Sequence, residues 1–507
     1  MSDRWSYELY IDGKWTRGRA ESDITVIDPA TEEPIGSVPE ATAEDARAAI
    51  EAARRAFDEG PWPYLKPAER GAKLKQMMEI LDARHDELRE LIVAEAGACG
   101  PILDFVQCRG ALQIGHYNAD RVAHLVEWVE QSPPTGGPSG MAGSALVREP
   151  VGVVAAITPF NFPFMLNMVK VMPAMAVGCS VVLKPHPWTP LDAFEIARAA
   201  DEVGIPPGVL NVITGHGEVG DELTGHPLVD MITFTGSTTT GRRIMSRAGE
   251  QIKRVQLELG SKSARVFLDD VPEDYVRQHG FGAMLTHCGQ GCALQTRLVI
   301  PERLLDAYLD GVKAMVPAIK IGDPRDPSTV LGPLISEQQR ARVEDYVASG
   351  IDAGATLVTG GKRPEGLDKG FFYEPTLFVG TNDMRIAQEE IFGPVLTVIP
   401  YSGDTDEAIR IANDSIYGLE GAVVSANTAR AFNAARRIRA GRVFAEGVPG
   451  PESDPGPGGG QGPGWGQLPS GIGQDGAFGG FKQSGIGREW GHHGLEEFTE
   501  VKMLTWS

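Results

Sequence analysis

Between residues 151 and 260 the chain carries short, almost wholly apolar runs: VGVVAAITP (151–159), SVVLKP (180–185), VLNVITG (209–215), DMITFTG (230–236) and RVQLELG (254–260). Uniform hydrophobicity over so few residues marks a strand buried on both faces. The intervening stretches LNMVKVMPAMAVG, PLDAFEIARAADEVG and GRRIMSRAGEQ have helical texture. This alternation predicts an α/β fold, a parallel sheet covered by helices. Ligands of such sheets sit at the carboxyl ends of the strands, so TPFNFP, KPHPWTP and FTGSTTTG are expected to line one crevice.

Upstream, TAEDARAAIEAARRAFDEG (42–60) reads as a helix capped by Thr42 and ended by Gly60, and residues 71–97 read as one longer helical stretch. A second α/β run begins near 260 and continues past 440. The segment 447–476, GVPGPESDPGPGGGQGPGWGQLPSGIGQDG, is too rich in glycine and proline for regular structure. Order resumes with AFGGFKQSGIGREWG and a closing strand, EEFTEVKMLTW.

The 507 residues suffice for two or three domains. No apolar run approaches the roughly 18 residues that span a bilayer, and the polar N-terminus does not read as a signal peptide, so a cytoplasmic location is expected. A net charge of −21 argues against nucleic acid and anionic membranes as partners, though not against an anionic cofactor held by a few local donors. The cysteines, Cys99, Cys108, Cys179, Cys288 and Cys292, form neither a disulfide framework nor paired CxxC motifs, so no metal site is expected.

Chemistry centres on THCGQGCALQTR (286–297). A free cysteine is most often a small core residue. Cys292, however, stands beside Gly289 and Gly291 and lacks the apolar periodicity of a core position, and Glu258 ends a predicted strand at the mouth of the same crevice. A thiol and a carboxylate without an obvious catalytic histidine suit covalent catalysis followed by base-assisted hydrolysis. On the residues alone, both readings stay open.

The same stretch resembles the nucleophile motif of the aldehyde dehydrogenase superfamily, with Cys292 and Arg297 in place; LELGSKS resembles its glutamate motif (Glu258) and TPFNFPF its asparagine motif (Asn161). LKPHPWTP, FTGSTTTG, EEIFGP and FGGFKQSGIGRE resemble further motifs of that family, in order along nearly the whole chain. The resemblance implies oxidation of an aldehyde to a carboxylic acid with NAD, or NADP, as hydride acceptor. Cys292 would be the nucleophile, Asn161 and the Cys292 N–H the oxyanion donors, and Glu258 the activator of water. Lys170 and Lys262 are second candidates for moving a proton, against the commoner role of a lysine as surface charge. Cys288, four residues before Cys292, would share a helix face with it and is read as packing.

GSTTTG is not a P-loop, since Arg242 and Arg243 follow it, and no G-x-G-x-x-G opens the first crossover. The resemblance instead places Ser237 and the following helix start at the cofactor pyrophosphate, Lys184 at the adenosine ribose, Glu390 at the nicotinamide ribose and Phe392 beside the ring. Thr158, Phe160, Pro187, Gly217, Gly236 and Leu259 complete the implied cofactor contacts. It also implies a Rossmann-type cofactor domain (1–125 with 148–259), a catalytic domain (260–483) and a β oligomerisation element (126–147 with 484–507) that builds a homodimer or homotetramer.

Departures from the family pattern bear on specificity. Pro187 stands where many relatives preferring NAD carry glutamate, which leaves discrimination against NADP open, with His186 as a further donor when protonated. Glu446 replaces a frequent asparagine and would bring an acid to the substrate entrance. The 447–476 segment exceeds the usual length by roughly 20 residues, and would either reshape access or be a passive surface insertion. Phe160, Phe162, Met165 and Leu166 suggest an apolar tunnel for an aliphatic or aromatic aldehyde of moderate size. No arginine cluster announces a carboxylated semialdehyde, Arg297 being the one left open. The alternatives are a semialdehyde dehydrogenase, a phosphorylating or CoA-acylating relative, which would share Cys292, and a non-enzymatic member of the fold; Glu258 speaks for hydrolysis against acyl transfer, and the presence of both Cys292 and Glu258 speaks against a non-enzymatic member.

Overall fold

The computed structural model describes residues 3–126, 128–138, 140–448 and 476–506, so nearly all of the 447–476 segment lies outside the described residues. The apolar runs form an eight-stranded sheet. Its parallel centre is ordered Arg254–Glu258, Met231–Thr235, Val153–Ile157, Ser180–Lys184 and Leu210–Val212. Strand order reverses between Val153–Ile157 and Met231–Thr235, the switch point at which doubly wound sheets open a ligand crevice.

Side-chain alternation explains why these strands read as uniformly apolar. Val154 and Ala156 enter the core on one face, with Met168, Met172 and Phe194, while Val153, Ala155 and Ile157 enter the core on the other, with Ala49, Ala53 and Leu223. Thr42 caps the helix Ala43–Asp58 reciprocally with Asp45, as its sequence predicts. The stretch 71–97 is not one helix. It divides at Arg84 into Pro67–Ala83 and His85–Ala96. No glycine or proline marks the break. Tertiary packing makes it, turning Leu88, Leu91 and Ile92 onto the same core as Leu74, Met77, Met78 and Leu81.

A second sheet of seven strands runs Thr356–Thr359, Thr376–Val379, Val395–Tyr401, Arg297–Pro301, Ala264–Phe267, Glu420–Ser425 and Arg442–Gly447. All pairs but the first are parallel. Val129–Gly137 and Gly140–Pro150 form a hairpin that Thr499–Trp506 joins antiparallel. Gly485–Ile486, grouped by sequence with that last strand, pairs instead with Leu257 and Glu258 at the edge of the eight-stranded sheet. The return segment is thereby pinned beside Glu258.

Candidate active site

The nucleophile loop lies between the two sheets. His287 and Cys288 adopt left-handed backbone (φ 47° and 52°), so Cys288 and Cys292 do not share a helix face as the spacing suggested. Tertiary contact overrides local helix preference here. Gly289, also left-handed at φ 70°, approaches the backbone so closely that a Cβ would meet the Gly393 carbonyl oxygen at 1.9 Å. Cys288 packs among Leu331, Leu334 and Val343. Cys292 alone of the five cysteines is not buried. Its thiol is nevertheless pushed up to about 12, first by burial and then by the carboxylates Glu390, Glu258 and Glu489, with the Arg442 guanidinium opposing them.

Two groups reach this thiol's surroundings. Asn161 is buried, and its Nδ2 donates to the Gln290 carbonyl at 2.9 Å. An amide nitrogen has two hydrogens, so one remains for an oxyanion. Glu258 ends its strand 1% exposed, and neither carboxylate oxygen has a hydrogen-bond partner. Burial and the charge of Glu489 raise its pKa well above the ordinary value, against Lys170 and Arg488.

The lysines are not surface charges. Lys170 is wholly buried and donates to Glu489 Oε1 at 2.7 Å and to Thr233 Oγ1 at 3.0 Å. Glu489 is a functional candidate that sequence reasoning missed. It is one of 68 acids, and no local signal singles it out; only the need of a buried lysine for a counter-ion does. Lys262 is also buried, its Nζ unpartnered, and its pKa is lowered to about 7 by burial and then by Arg297. Arg297 is not a substrate ligand. Its guanidinium donates to the carbonyls of Lys262, Ile411 and Ala412 and to Asn382 Oδ1, tying off the helix Thr405–Asn413.

Most of the implied cofactor residues follow the carboxyl ends of the first sheet's strands, while Glu390 and Phe392 precede Val395–Tyr401 of the second. Thr158 N donates to Lys184 O, and Gly236 N to Glu258 O. Ser237 caps the helix Thr238–Gly249 by accepting from Thr240 N. Leu259 packs over Gly241, and Gly217 opens the short helix Gly217–Gly225 with open space around its Cα. Glu390 accepts from Ser261 N at 2.7 Å, and burial raises its pKa to about 7. Phe160 and Phe392 stand edge to face with centroids 5.7 Å apart. Pro187 is buried and offers neither charge nor acceptor. His186 departs from expectation. Burial, then Lys184, lowers its pKa to about 3, so it is neutral and accepts from Trp188 N.

A cavity of about 150 Å³ opens between the helices Arg109–Leu125 and Pro163–Val177, lined by Phe105, Ile114, Tyr117, Met165, Val169 and Trp490 among others. Of the four residues expected to form a tunnel, Met165 alone lines it. Helical spacing puts Met165 and Val169 on that face, whereas Phe160 packs among His186, Trp188 and Phe392, Phe162 against His287, and Leu166 in the interior. Glu446, expected at the entrance, is held by Arg265 through both carboxylate oxygens.

Both the sequence and the fold are shared with known proteins. The model of the aldehyde dehydrogenase family matches residues 15–473 and 468–504. The chain belongs to the aldehyde dehydrogenase family. A 3-succinoylsemialdehyde-pyridine dehydrogenase of a Pseudomonas species is 39% identical over 502 residues, covering 98% of either chain. A Mycobacterium tuberculosis aldehyde dehydrogenase complexed with NAD+ is 42% identical, with a TM-score of 0.89 and 98% of both chains covered. Aldehyde dehydrogenase C of Pseudomonas syringae, complexed with NAD+ and octanal, is 36% identical, with a TM-score of 0.87, covering 99% of this chain and 97% of its own. This aldehyde dehydrogenase has no helix, among its described residues, long and apolar enough to cross a membrane.

Proposed function

We propose that the protein oxidises an apolar aldehyde of moderate size to the free acid, with Cys292 as nucleophile and NAD as coenzyme. The observation that carries this is the meeting of a partly exposed thiol, a side-chain amide with a spare N–H, and a buried carboxylate without a partner. The crevice suits a dinucleotide: Lys184 Nζ has only a long contact to Pro185 O at 3.4 Å, the Thr235 hydroxyl is buried without a partner, and the helix start at Ser237 presents free N–H donors. Glu390 would hold ribose hydroxyls once released from Ser261 N, and Phe160 and Phe392 would border the ring. A nicotinamide held there would supply the hydride acceptor that the sulfur-bonded carbon needs to become a thioester. With no carboxylate at position 187 to repel a 2′-phosphate, NADP is accepted as a second coenzyme.

The chain's own residues do the rest. The Cys292 thiol yields its proton to solvent water and its sulfur bonds to the carbonyl carbon. The oxyanion accepts from the Asn161 amide and the Cys292 N–H. In the hydrolytic half, Glu258 takes a proton from water, the hydroxide adds to the thioester, and the carbon–sulfur bond breaks to return the Cys292 thiolate. Lys170 and Glu489 act on this base through their charges, and Glu258 returns its proton to solvent before the next turnover. The apolar cavity favours aliphatic or aromatic bodies. The exposed Val501, Met503 and Trp506 on the last strand suit burial against a second copy in a homodimer or homotetramer, and the unpaired cysteines suit the cytoplasm.

The test is Cys292→Ala. It should bind NAD as the parent does, measured by fluorescence quenching, yet form reduced coenzyme from hexanal at least about 10⁴-fold more slowly, while Cys288→Ala keeps activity. An active Cys292→Ala enzyme would overturn the assignment.

A further inference from the structure

Arg442 opens Arg442–Gly447, the edge strand of the seven-stranded sheet, and the proposed mechanism gives it no part. Its register partner is Glu420, and the two form an ion pair with side chains 19% and 4% exposed. That pair engages Nη2 alone. Nε and Nη1 are buried without a hydrogen-bond partner. Aromatic rings surround the guanidinium: its Cζ lies 4.9 Å from the Phe478 centroid, 5.2 Å from Phe444 and 5.7 Å from Trp490. Phe478 and Trp490 stack at 5.0 Å, and Trp490 is also a wall of the apolar cavity. The guanidinium is near enough to the reacting centre to be one of the charges that bear on Cys292. Buried N–H groups left unmade cost free energy, so a site that keeps them open gains most from a ligand that closes them.

We propose that Arg442 reads an uncharged oxygen acceptor, a ketone, hydroxyl or amide carbonyl, on the body of an aldehyde whose apolar part lies along Trp490 and Phe478. This rests on the aldehyde-oxidising reading given above. Charge balance selects the neutral acceptor over a carboxylate. Glu420 already neutralises Arg442, Glu446 neutralises Arg265 on the same face, and Glu258, Glu489 and Glu390 lie around the nucleophile. A substrate carboxylate would lose its hydration and meet no net positive charge. A carbonyl oxygen accepts from Nε or Nη1 at much smaller desolvation cost, and its absence leaves those donors unmet.

The experiment compares kcat/KM of the full chain with NAD for hexanal, its 4-oxo and 5-oxo derivatives, and 6-oxohexanoate. The better oxo-aldehyde should exceed hexanal by roughly 10- to 100-fold, the range of one hydrogen bond from a charged donor, and 6-oxohexanoate should rank last. In Arg442→Met/Glu420→Gln, which leaves no buried charge stranded, the oxo-to-hexanal ratio should fall to about 1. Arg442→Lys keeps a cation for Glu420 but loses the planar donors, and should lower the ratio at least about fivefold. Equal wild-type values for hexanal and both oxo-aldehydes, a preference for 6-oxohexanoate, or a ratio that survives both substitutions would overturn the proposal, and the wild-type comparison decides even if a variant fails to fold. Hexanal oxidised without such selectivity refutes Arg442 alone; no oxidation of any of the aldehydes refutes the aldehyde reading and this inference with it.

Discussion

Two pairs of buried carboxylates flank the first sheet, and they solve one electrostatic problem in opposite ways. Glu95 and Asp192 are 0% exposed, and among the described residues no cation pairs with either. Glu95 accepts from the backbone N–H groups of Leu191 and Asp192 at 3.0 and 3.1 Å, and Asp192 accepts from Asn167 at 2.7 Å. Burial raises both pKa values, Glu95 to about 7, and the negative charge of Glu95 raises Asp192 further, so the folded pair keeps a proton. Glu258 and Glu489 are 1% and 2% exposed, but here Lys170 takes Glu489 as its ion partner and leaves Glu258 with none. Backbone and amide donors hold the first pair in place, as a brace. Satisfying one acid with a cation frees the other to act as a base, and the second pair bears on Cys292, the one cysteine that is not buried.

The largest effect that would sharpen this contrast is on Glu258. Glu258→Gln should still give a burst of reduced coenzyme, after which turnover falls about 10²–10⁴-fold, the usual worth of a general base. Rapid-mixing absorbance separates the phases. Equal loss of both would place Glu258 before the thioester and erase its distinction from the Glu95 pair. Next comes Lys170→Met, which strands Glu489 in the interior. Breaking a buried pair typically costs about 3–5 kcal/mol, read as a lower urea midpoint, and Lys170→Met/Glu489→Leu should recover much of it.

A smaller effect separates charge from packing. Glu489 raises the pKa of Glu258 and Lys170 lowers it. Glu489→Gln removes the first influence and releases the second. The acid limb of the steady-state turnover profile should therefore move to lower pH, whereas a role in packing alone would lower the rate without moving the limb.

Much of this arrangement was legible in the sequence, for reasons that also explain the rest. The central strands are buried on both faces, so their apolar runs announced them. Cys292, Glu258 and Asn161 lie in local motifs whose order along the chain is itself informative. Lys170 and Glu489 are 319 residues apart, and no local pattern couples them. The break at Arg84 and the left-handed turn at His287 and Cys288 are likewise set by tertiary packing. Single aromatic residues could be placed near the site by sequence, but which face they line depends on helix rotation, and only Met165 reached the cavity.

The smallest expected effect tests the brace itself. The folded state holds a proton on the Glu95–Asp192 pair that the unfolded chain releases near the ordinary carboxyl values, 4.5 for Glu95. Unfolding then releases protons, so stability falls as pH rises from about 4.5 to about 7. Asp192→Asn imitates the protonated acid: its Oδ1 can still accept from Asn167, and its Nδ2 donates to Glu95 without a shared proton. Glu95 then ionises against three N–H donors, and its pKa moves down. The urea midpoint of Asp192→Asn should differ less between pH 5 and pH 8 than that of the parent, and the acid limb of turnover should stay where it was. A midpoint as pH-dependent as the parent's would show that the pair shares no proton. A shifted turnover limb would show instead that the two acid pairs are coupled through the sheet, and the division between brace and base would fall.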